Sequence, residues 1–356
     1  MTATPRPNRP LRQATAGLAA LAATGLLVAC SEPTEGGTGD AASSKAGASG
    51  EKVTITVYTS EPEEKVDEVN AAFMETHPNI EVEVYRAGTG DLNTRIAAEK
   101  ESGNIEADVL WAADSATFED YVEEGDLAKL SNVDSTSLIE EAIDPEGYYV
   151  GTRIIPTVIA YNTEVIEETD APQSWADLVD PKYREQIVLP NPAVSGAAAF
   201  NASVWKNADG LGVDWINKLG ENTPMIAESN GPASQEVASG SRPVGIVVDY
   251  LVRDLAEAGS PIATAYPSEG VPYITEPAGV FDASDQKEAA ETYINFLLSE
   301  QGQRIAVDQA YLPVREDVGT PDGAPALSEI ALMTPDLDVV TQDKDAAVDA
   351  FQSAMN

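Results

Sequence analysis

The sequence predicts an α/β protein that folds as two doubly wound lobes. Three observations favour this class: a length of 356 residues, an alternation of strands and helices that starts after Glu51, and two extended stretches that contain prolines. At roughly 100 to 200 residues per domain, the length favours two domains with appendages. The alternation favours parallel sheets, because parallel strands need helical crossovers. Ligands of such folds bind beyond the carboxyl ends of the strands.

The first lobe begins with the pattern strand, helix, strand, helix, strand. Apolar side chains alternate over residues 53–57 and again over 80–84, as in half-buried strands. A helix begins near Pro62 and ends at His77-Pro78, because the residue before a proline disfavours the α region. The run Ala107–Trp111 is almost continuously apolar, which is typical of a strand buried on both faces.

Two extended stretches, Arg153–Tyr161 and Pro267–Thr275, have prolines inside them. Proline is disfavoured within a central strand, so these stretches are expected to be crossovers between the lobes. The α/β pattern between them would form lobe 2, residues 156–273. Lobe 1 would then combine residues 51–155 with residues 274–356.

The first 29 residues have the layout of a signal peptide. Three arginines precede an apolar run from Ala14 to Ala29, and no acidic residue occurs before Glu32. The run is shorter than the roughly 20 residues that a membrane-spanning helix needs. Its end, Leu27-Val28-Ala29-Cys30, resembles a bacterial lipobox. That resemblance implies cleavage before Cys30 and lipidation of the Cys30 thiol, so that the protein is anchored to the outer face of the cell membrane.

Residues 30–50 are predicted to be the lipidated cysteine and a flexible tether. After Cys30 the segment contains no apolar side chain larger than alanine except Pro33, so it cannot bury a sizeable apolar surface. The tether would therefore keep the folded part of the protein near the membrane.

Charge and composition exclude several classes of function. Asp and Glu total 60 against 21 Lys and Arg, a formal net charge of −39, so a basic surface for nucleic acid cannot be assembled. The sequence has one His and one Cys, which excludes Cys/His zinc sites and Ser-His-Asp triads that need a spare imidazole. We expect no cofactor.

Six fragments follow one another in a fixed order behind the lipobox: ITVYTSEPEEKVDEVNAAFMETHPNIEV, ADVLWAADS, GTRIIPTVIAYNT, SWADLVDPKYREQIVLPNPAVSGAAA, SGSRPVGIVVDY and NFLLSEQGQRIAVDQAYLPVR. From about Val53 to Val318 the chain thus resembles the solute-binding proteins of bacterial ABC importers, in the group with ferric-iron, phosphonate, sugar-phosphate, thiamine and polyamine binders. The resemblance implies a type II periplasmic-binding-protein fold, in which two α/β lobes joined by a two-strand hinge close on a ligand. It also implies a membrane permease as partner and a monomeric receptor.

The loop Asn191–Ala197 is the sharpest candidate for ligand binding. Ser195, Gly196 and Ala197 begin a predicted helix, where unpaired N–H groups and the helix dipole favour an anion. A serine followed by glycine also fits an ordinary N-cap, and this alternative stays open. The resemblance favours the anion, because related binders hold phosphate or phosphonate oxygens at this loop.

Other candidates follow the predicted strands of both lobes: Thr59, Ser60, Thr89, Gly90, Asp114, Asp249, Tyr250 and Glu269. Asp249 is expected to accept an amine or hydroxyl group, whereas Ser60 could equally be a helix cap. Glu269 is the weakest candidate, because most exposed acids are only solvated.

We therefore expect a receptor for a phosphorylated or phosphonate-bearing organic anion. Ferric iron is the alternative, with Tyr250 and Asp249 as ligands, although iron-binding relatives supply two neighbouring tyrosines from this region. An enzyme or a sensory lipoprotein on the same fold is the second alternative.

Overall fold

The structure is a computed structural model that describes residues 52–355. The predicted signal peptide, lipidation at Cys30 and tether lie outside the described residues. In chain order the elements are β1 (Val53–Thr59), α1 (Glu63–Thr76), β2 (Ile80–Arg86), α2 (Thr89–Ser102), β3 (Val109–Trp111), α3 (Ser115–Glu124), β4 (Tyr149–Gly151), β5 (Arg153–Asn162), β6 (Ile187–Pro190), α4 (Gly196–Asn207), α5 (Gly212–Glu221), β7 (Met225–Ala227), α6 (Asn230–Ala238), β8 (Val244–Val248), α7 (Asp249–Glu257), β9 (Ile262–Ala265), β10 (Tyr273–Ile274), β11 (Pro277–Val280), α8 (Lys287–Leu298), α9 (Glu300–Asp308), β12 (Leu312–Pro313) and α10 (Leu337–Met355).

The first sheet has the strand order β2-β1-β3-β11-β4 and is the centre of lobe 1. β1 is parallel to β2 and β3, with Val57 opposite both Val84 and Val109. Val57 belongs to a buried cluster that contains Phe73 of α1 and Tyr293 of α8, whose rings meet edge to face at 5.1 Å. The amphipathic helices thus cover the sheet as their apolar periodicity predicts.

The second sheet, the centre of lobe 2, is built on β5, β8, β6 and β7 with β9 and β10 against β5. β5 corresponds to the first crossover stretch and runs from one lobe into the other. Its first residues pair with β12 and β10, and its pairing with β8 begins at Thr157. Pro156 therefore lies just outside the central pairing, where proline is tolerated.

The last helix departs from the predicted assignment of residues 274–356 to lobe 1. α10 packs against α4 and α5 of lobe 2, where Phe351 contacts the rings of Trp205 and Trp215. The Ser203 hydroxyl donates to the carbonyl of Val340 at 3.1 Å. The reason is that the apolar face of α10 completes the tryptophan cluster of lobe 2. Among residues 52–355, no helix combines the length and apolarity that crossing a bilayer requires.

Candidate functional site

A cavity of about 450 Å³ lies between the two lobes. Lobe 1 contributes Ser60, Glu61, Pro62, Arg86, Gly88, Thr89 and Ala113. Lobe 2 contributes residues 194–197, residues 229–232, Val248, Tyr250 and Leu251. The crossover strands and the residues beside them contribute Ile155, Ile274 and Glu276. The cavity is therefore at the strand ends and beside the hinge.

Helices α1, α2, α4, α6 and α7 all begin at this cavity. Each follows a strand, namely β1, β2, β6, β7 and β8, so the fold brings their N-termini to one place. The first N–H groups of a helix have no partner within it, and the helix dipole adds partial positive charge there. Several such termini around one cavity favour an oxyanion.

Ser195 is the N-cap of α4 and is also part of the cavity wall. Its Oγ accepts a hydrogen bond from the Ala198 N–H at 3.3 Å and one from Asn230 Nδ2 at 3.0 Å. The carbonyl oxygen of the Asn230 side chain accepts from the Val248 N–H at 3.2 Å, which fixes the amide. With both acceptor positions of Ser195 occupied, its hydroxyl hydrogen is left to donate into the cavity. The cap and the anion contact are thus compatible.

Arg86 supplies a positive charge that the sequence-based candidates did not include. It ends β2 and lines the cavity, and its Nε donates to the Glu61 carbonyl at 2.9 Å. No carboxylate of residues 52–355 lies within ion-pairing distance of its guanidinium. An exposed guanidinium at a strand end is suited to bind phosphate or phosphonate oxygens in a bidentate manner. We call Arg86, Thr89, Ser195, Gly196 and Asn230 the donor wall.

The hinge side of the cavity contains a buried charge network of Glu61, Arg153, Glu276 and Tyr311, which we call the carboxyl floor. Arg153 Nη1 donates to Glu61 Oε2 at 2.9 Å, and the Tyr311 hydroxyl donates to the same oxygen at 2.8 Å. Arg153 Nε lies 2.9 Å from Glu276 Oε2, but the geometry is not that of a hydrogen bond. Neither oxygen of Glu276 accepts a hydrogen bond.

The two glutamates of the carboxyl floor differ in their affinity for protons. Burial raises the pKa of Glu276 well above its usual value, and the charge of Glu61 raises it further. Burial also opposes ionisation of Glu61, but the Arg153 guanidinium and the hydrogen bond from the Tyr311 hydroxyl hold its pKa below the usual value. Two carboxyls that share one guanidinium behave in this way, because only one of them is fully compensated.

Several of the predicted site residues lie at the cavity between the lobes. Ser60, Thr89, Ser195, Gly196, Ala197 and Tyr250 line the cavity. The oxygen of Ser60 already accepts from the Ala113 N–H at 3.2 Å, so its hydroxyl hydrogen is what it can offer. Thr59 is fully buried instead, and its Oγ1 accepts from the Glu61 N–H at 3.1 Å. The prediction for Thr59 needs correction because its side chain closes a turn.

Asp114, Asp249 and Glu269 also lie away from the cavity lining. Asp249 is fully buried against Arg253, with 2.7 Å between Oδ2 and Nη1, and burial raises its pKa to about 6. Asp114 accepts from the Thr117 hydroxyl and pairs with Lys344. Glu269 is exposed and accepts from the Ala176 N–H at 3.2 Å. The expected ligand contacts of these three carboxylates are corrected, because each already has a partner in the protein.

The two lobes touch one another across the cavity. Lys65 of α1 pairs with Asp254 of α7 at 2.9 Å, and Arg253 Nη2 donates to the Ala310 carbonyl at 2.6 Å. Lys344 of α10, which packs on lobe 2, pairs with Asp114 at the start of α3. These contacts describe a closed arrangement.

Glycines permit the closest approach of the lobes. The Gly90 N–H donates to the Val194 carbonyl at 3.4 Å, and a Cβ on Gly90 would lie 2.4 Å from the carbonyl oxygen of Ala193. A Cβ on Gly196 would lie 2.6 Å from the carbonyl oxygen of Ala113. Gly90, predicted as a ligand contact, therefore serves lobe closure, since it does not line the cavity.

The family of bacterial extracellular solute-binding proteins matches residues 104–343, well over half of the chain. The chain belongs to this family. A periplasmic protein of Salmonella typhimurium that is named for 2-aminoethylphosphonate binding is 27% identical over 265 residues, which are 68% of this chain and 72% of that protein.

Two solved structures show the same architecture. Iron-bound HitA from Pseudomonas aeruginosa has a TM-score of 0.76 at 23% identity, covering 85% of this chain and 99% of that one. The binding protein AfuA from Actinobacillus pleuropneumoniae, solved with fructose-6-phosphate, has a TM-score of 0.77 at 21% identity, covering 85% and 99%. The predicted type II periplasmic-binding-protein fold is confirmed. The protein is a solute-binding component of an ABC importer that works outside the cytoplasm with a membrane permease.

Proposed function

We propose that the protein captures a phosphorylated or phosphonate-bearing organic anion for its importer. The observation that carries this proposal is the donor wall, in which helix N-termini from both lobes and the unpaired guanidinium of Arg86 line one cavity. Helix N-termini and arginine both prefer phosphate-type oxygens. A neutral sugar would leave the Arg86 charge without a counter-charge.

The donors are expected to act from two sides. Arg86, Ser60 and Thr89 approach the oxyanion from lobe 1, whereas Ser195 and the first N–H groups of α4, at Gly196 and Ala197, approach it from lobe 2. Because both lobes contribute, the closed arrangement is favoured when the anion is present. The Tyr250 phenol is left to contact the organic part of the ligand.

The same proposal includes the rest of the receptor's organisation. Residues 1–29 are a signal peptide, Cys30 is the lipid anchor, and residues up to 50 are the tether. Lobe 1 is formed by residues 51–155 and 274 onward except α10, and lobe 2 by residues 156–273. The protein acts as a monomer that binds and releases its ligand unchanged, with no cofactor. A Cys30→Ser variant that partitions with membranes as the parent does would contradict the lipid anchor.

Ferric iron is the second candidate, because two phenols stand together beside the carboxyl floor. The ring centroids of Tyr250 and Tyr311 are 4.2 Å apart, and both rings are buried. Burial raises the pKa of both phenols, which opposes the phenolate form that ferric iron needs. Asp249, the expected second iron ligand, is bound to Arg253. Within residues 52–355, no cluster of three or more His, Cys, Asp or Glu side chains is arranged for a metal.

A thermal-shift panel separates these ligand classes. Methylphosphonate, glycerol phosphate, sulfate, glucose and ferric citrate are tested against the purified protein. A ligand at 100 times its dissociation constant stabilises the folded state by about 2.7 kcal/mol, which such a panel detects. Stabilisation by the organic phosphate or phosphonate, reduced in Arg86→Gln but not in the exposed control Arg184→Gln, is expected. If the protein instead turns red with ferric citrate, and Tyr250→Phe abolishes the phenolate absorption band, the ligand is ferric iron and the phosphate proposal is wrong.

A further inference from the structure

Glu276 has an unusual combination of properties for a buried side chain. It is 0% exposed, yet it lines the cavity, and neither of its carboxyl oxygens accepts a hydrogen bond. Its backbone φ is +43°, in the left-handed region that favours glycine. A buried carboxyl without hydrogen-bond partners and a strained backbone each cost free energy. Such costs persist chiefly at functional sites.

If both glutamates of the carboxyl floor are ionised, one negative charge is left uncompensated, because Arg153 supplies a single positive charge. Arg153 stands behind the two glutamates and does not itself line the cavity. Its guanidinium lies against the rings of Trp111 and Tyr311, 4.6 and 4.1 Å from their centroids. Glu61 uses the hydrogen bonds of Arg153 and Tyr311, so the second carboxyl, Glu276, faces the cavity without equivalent support.

A purely structural ion pair would not need this second glutamate. Arg153 and Glu61 already form an ion pair with a hydrogen bond of 2.9 Å. Adding a second buried acid raises the desolvation penalty without adding a hydrogen bond, and an apolar residue at position 276 would avoid that cost. A cation in the space before Glu276 would compensate the ionised carboxyl without a proton.

We propose that Glu276, supported by Glu61, is a subsite for a protonated amine of the ligand, so that the ligand is a zwitterion. Its oxyanion lies against the donor wall and its ammonium group lies against the carboxyl floor. An ammonium group supplies the donors that the oxygens of Glu276 lack. This inference rests on the proposed function, because it assigns the two ends of one ligand within the same cavity.

The test compares ligands that differ only in the amine. Calorimetry measures the affinity of the intact protein for 2-aminoethylphosphonate against ethylphosphonate, and for phosphoethanolamine against ethyl phosphate. A charge-assisted hydrogen bond predicts that the amine member of a pair binds about tenfold to a hundredfold more tightly. Glu276→Gln is expected to abolish this preference, whereas Arg86→Gln weakens both members of each pair to a similar extent.

Two further variants separate the loss of the Glu276 carboxyl from a loss of folding or a general loss of negative charge. Glu276→Gly removes the carboxyl and also relieves the positive φ, so it is expected to fold and to lose the amine preference. Glu269→Gln removes an exposed acid outside the cavity and is expected to keep the preference.

Each outcome has one meaning. Equal affinity of the parent protein for the amine and amine-free members overturns the zwitterion subsite while the proposed function stands. An amine preference that survives Glu276→Gly assigns the ammonium elsewhere and overturns the role of Glu276. Binding of methylphosphonate or glycerol phosphate but of none of the four compounds overturns the zwitterion subsite alone, whereas failure to bind any of the six compounds overturns the proposed function itself.

Discussion

The two ends of the cavity handle charge by different means. The donor wall uses N–H groups of helix termini and neutral side chains, with one exposed guanidinium in Arg86. The carboxyl floor uses fully ionisable side chains that are buried, with Glu61 and Glu276 around Arg153. Backbone donors cost less to bury than full charges, because they carry only partial charge. Buried carboxylates are costly unless they are paired.

This contrast explains why the two ends respond differently to change. Several groups of the donor wall each contribute part of the binding free energy. The loss of one group should therefore weaken ligand binding and leave folding intact. The carboxyl floor depends on a charge balance between hinge strands, so the loss of its cation should damage folding first.

Arg153→Met is expected to have the largest effect. It leaves Glu61 and Glu276 buried without a countercharge, and breaking a buried pair in this way costs about 3 to 5 kcal/mol. Urea unfolding of the free protein measures the loss. Arg184→Gln, an exposed control, should change the unfolding free energy by less than about 0.5 kcal/mol. If Arg153→Met is as stable as the parent at neutral pH, the carboxyl floor is not the balanced network described above.

Gly90→Ala is expected to prevent full closure, which both ends of the cavity need. The new methyl group would lie 2.4 Å from the Ala193 carbonyl oxygen, which belongs to the opposite lobe. Overpacking of this kind costs about 1 to 3 kcal/mol, or roughly fivefold to 150-fold in affinity. Solution scattering of the ligand-saturated variant should show a larger radius of gyration than the parent. Glu269→Gln, an exposed change outside the cavity, should scatter like the parent.

Arg86→Gln is expected to weaken binding of every phosphate- or phosphonate-bearing ligand by about tenfold, with little change in stability. The guanidinium is exposed and has no carboxylate partner to leave unpaired. Because exposed charges are screened, raising the salt concentration should reduce the difference between parent and variant. Calorimetry at low and high salt checks this. A variant with full affinity at low salt would remove Arg86 from the donor wall.

The sequence predicted the donor wall better than the carboxyl floor, and the reason is distance along the chain. Ser195, Gly196 and Ala197 are recognisable locally, since a strand, a short loop and a helix start follow one another directly. Arg153 and Glu61 are 92 residues apart, and Tyr311 and Glu61 are 250 apart. No local pattern connects such residues, although the first crossover stretch, which begins at Arg153, was recognisable.

The errors at Thr59 and Asp249 have a second cause. Both residues were placed correctly near strand ends, but that position does not define the direction of the side chain. Asp249 pairs with Arg253, which lies one helical turn later on the same face of α7. This i,i+4 spacing is visible in the sequence. Arg86 lies directly at the end of β2, and a polar residue at a strand end is the pattern that selected the other candidates. The same pattern therefore also predicts Arg86 as a site residue.

The smallest expected effect is a change in how stability depends on pH in the Glu276→Gln variant. Burial and Glu61 raise the pKa of Glu276 in the folded protein above its unfolded value, so the protonated form is the one that folding favours. The stabilising contribution is complete below the unfolded pKa of about 4.3 and is lost as pH rises through the folded pKa. The glutamine side chain of the variant cannot ionise, so the variant should gain stability relative to the parent as pH rises.

The groups that face Glu276 could hide this pH dependence of stability only if they changed their own charge over the same pH range. Arg153 stays charged, Tyr250 and Tyr311 stay neutral because burial raises their pKa, and Glu61 is held ionised by Arg153. Urea unfolding of Glu276→Gln and parent between about pH 4 and pH 8 should therefore give diverging curves, whereas the exposed Glu269→Gln should follow the parent. Parallel curves for the Glu276 variant would mean that its carboxyl is compensated in the free protein, and the contrast between the two ends of the cavity would lose its physical basis.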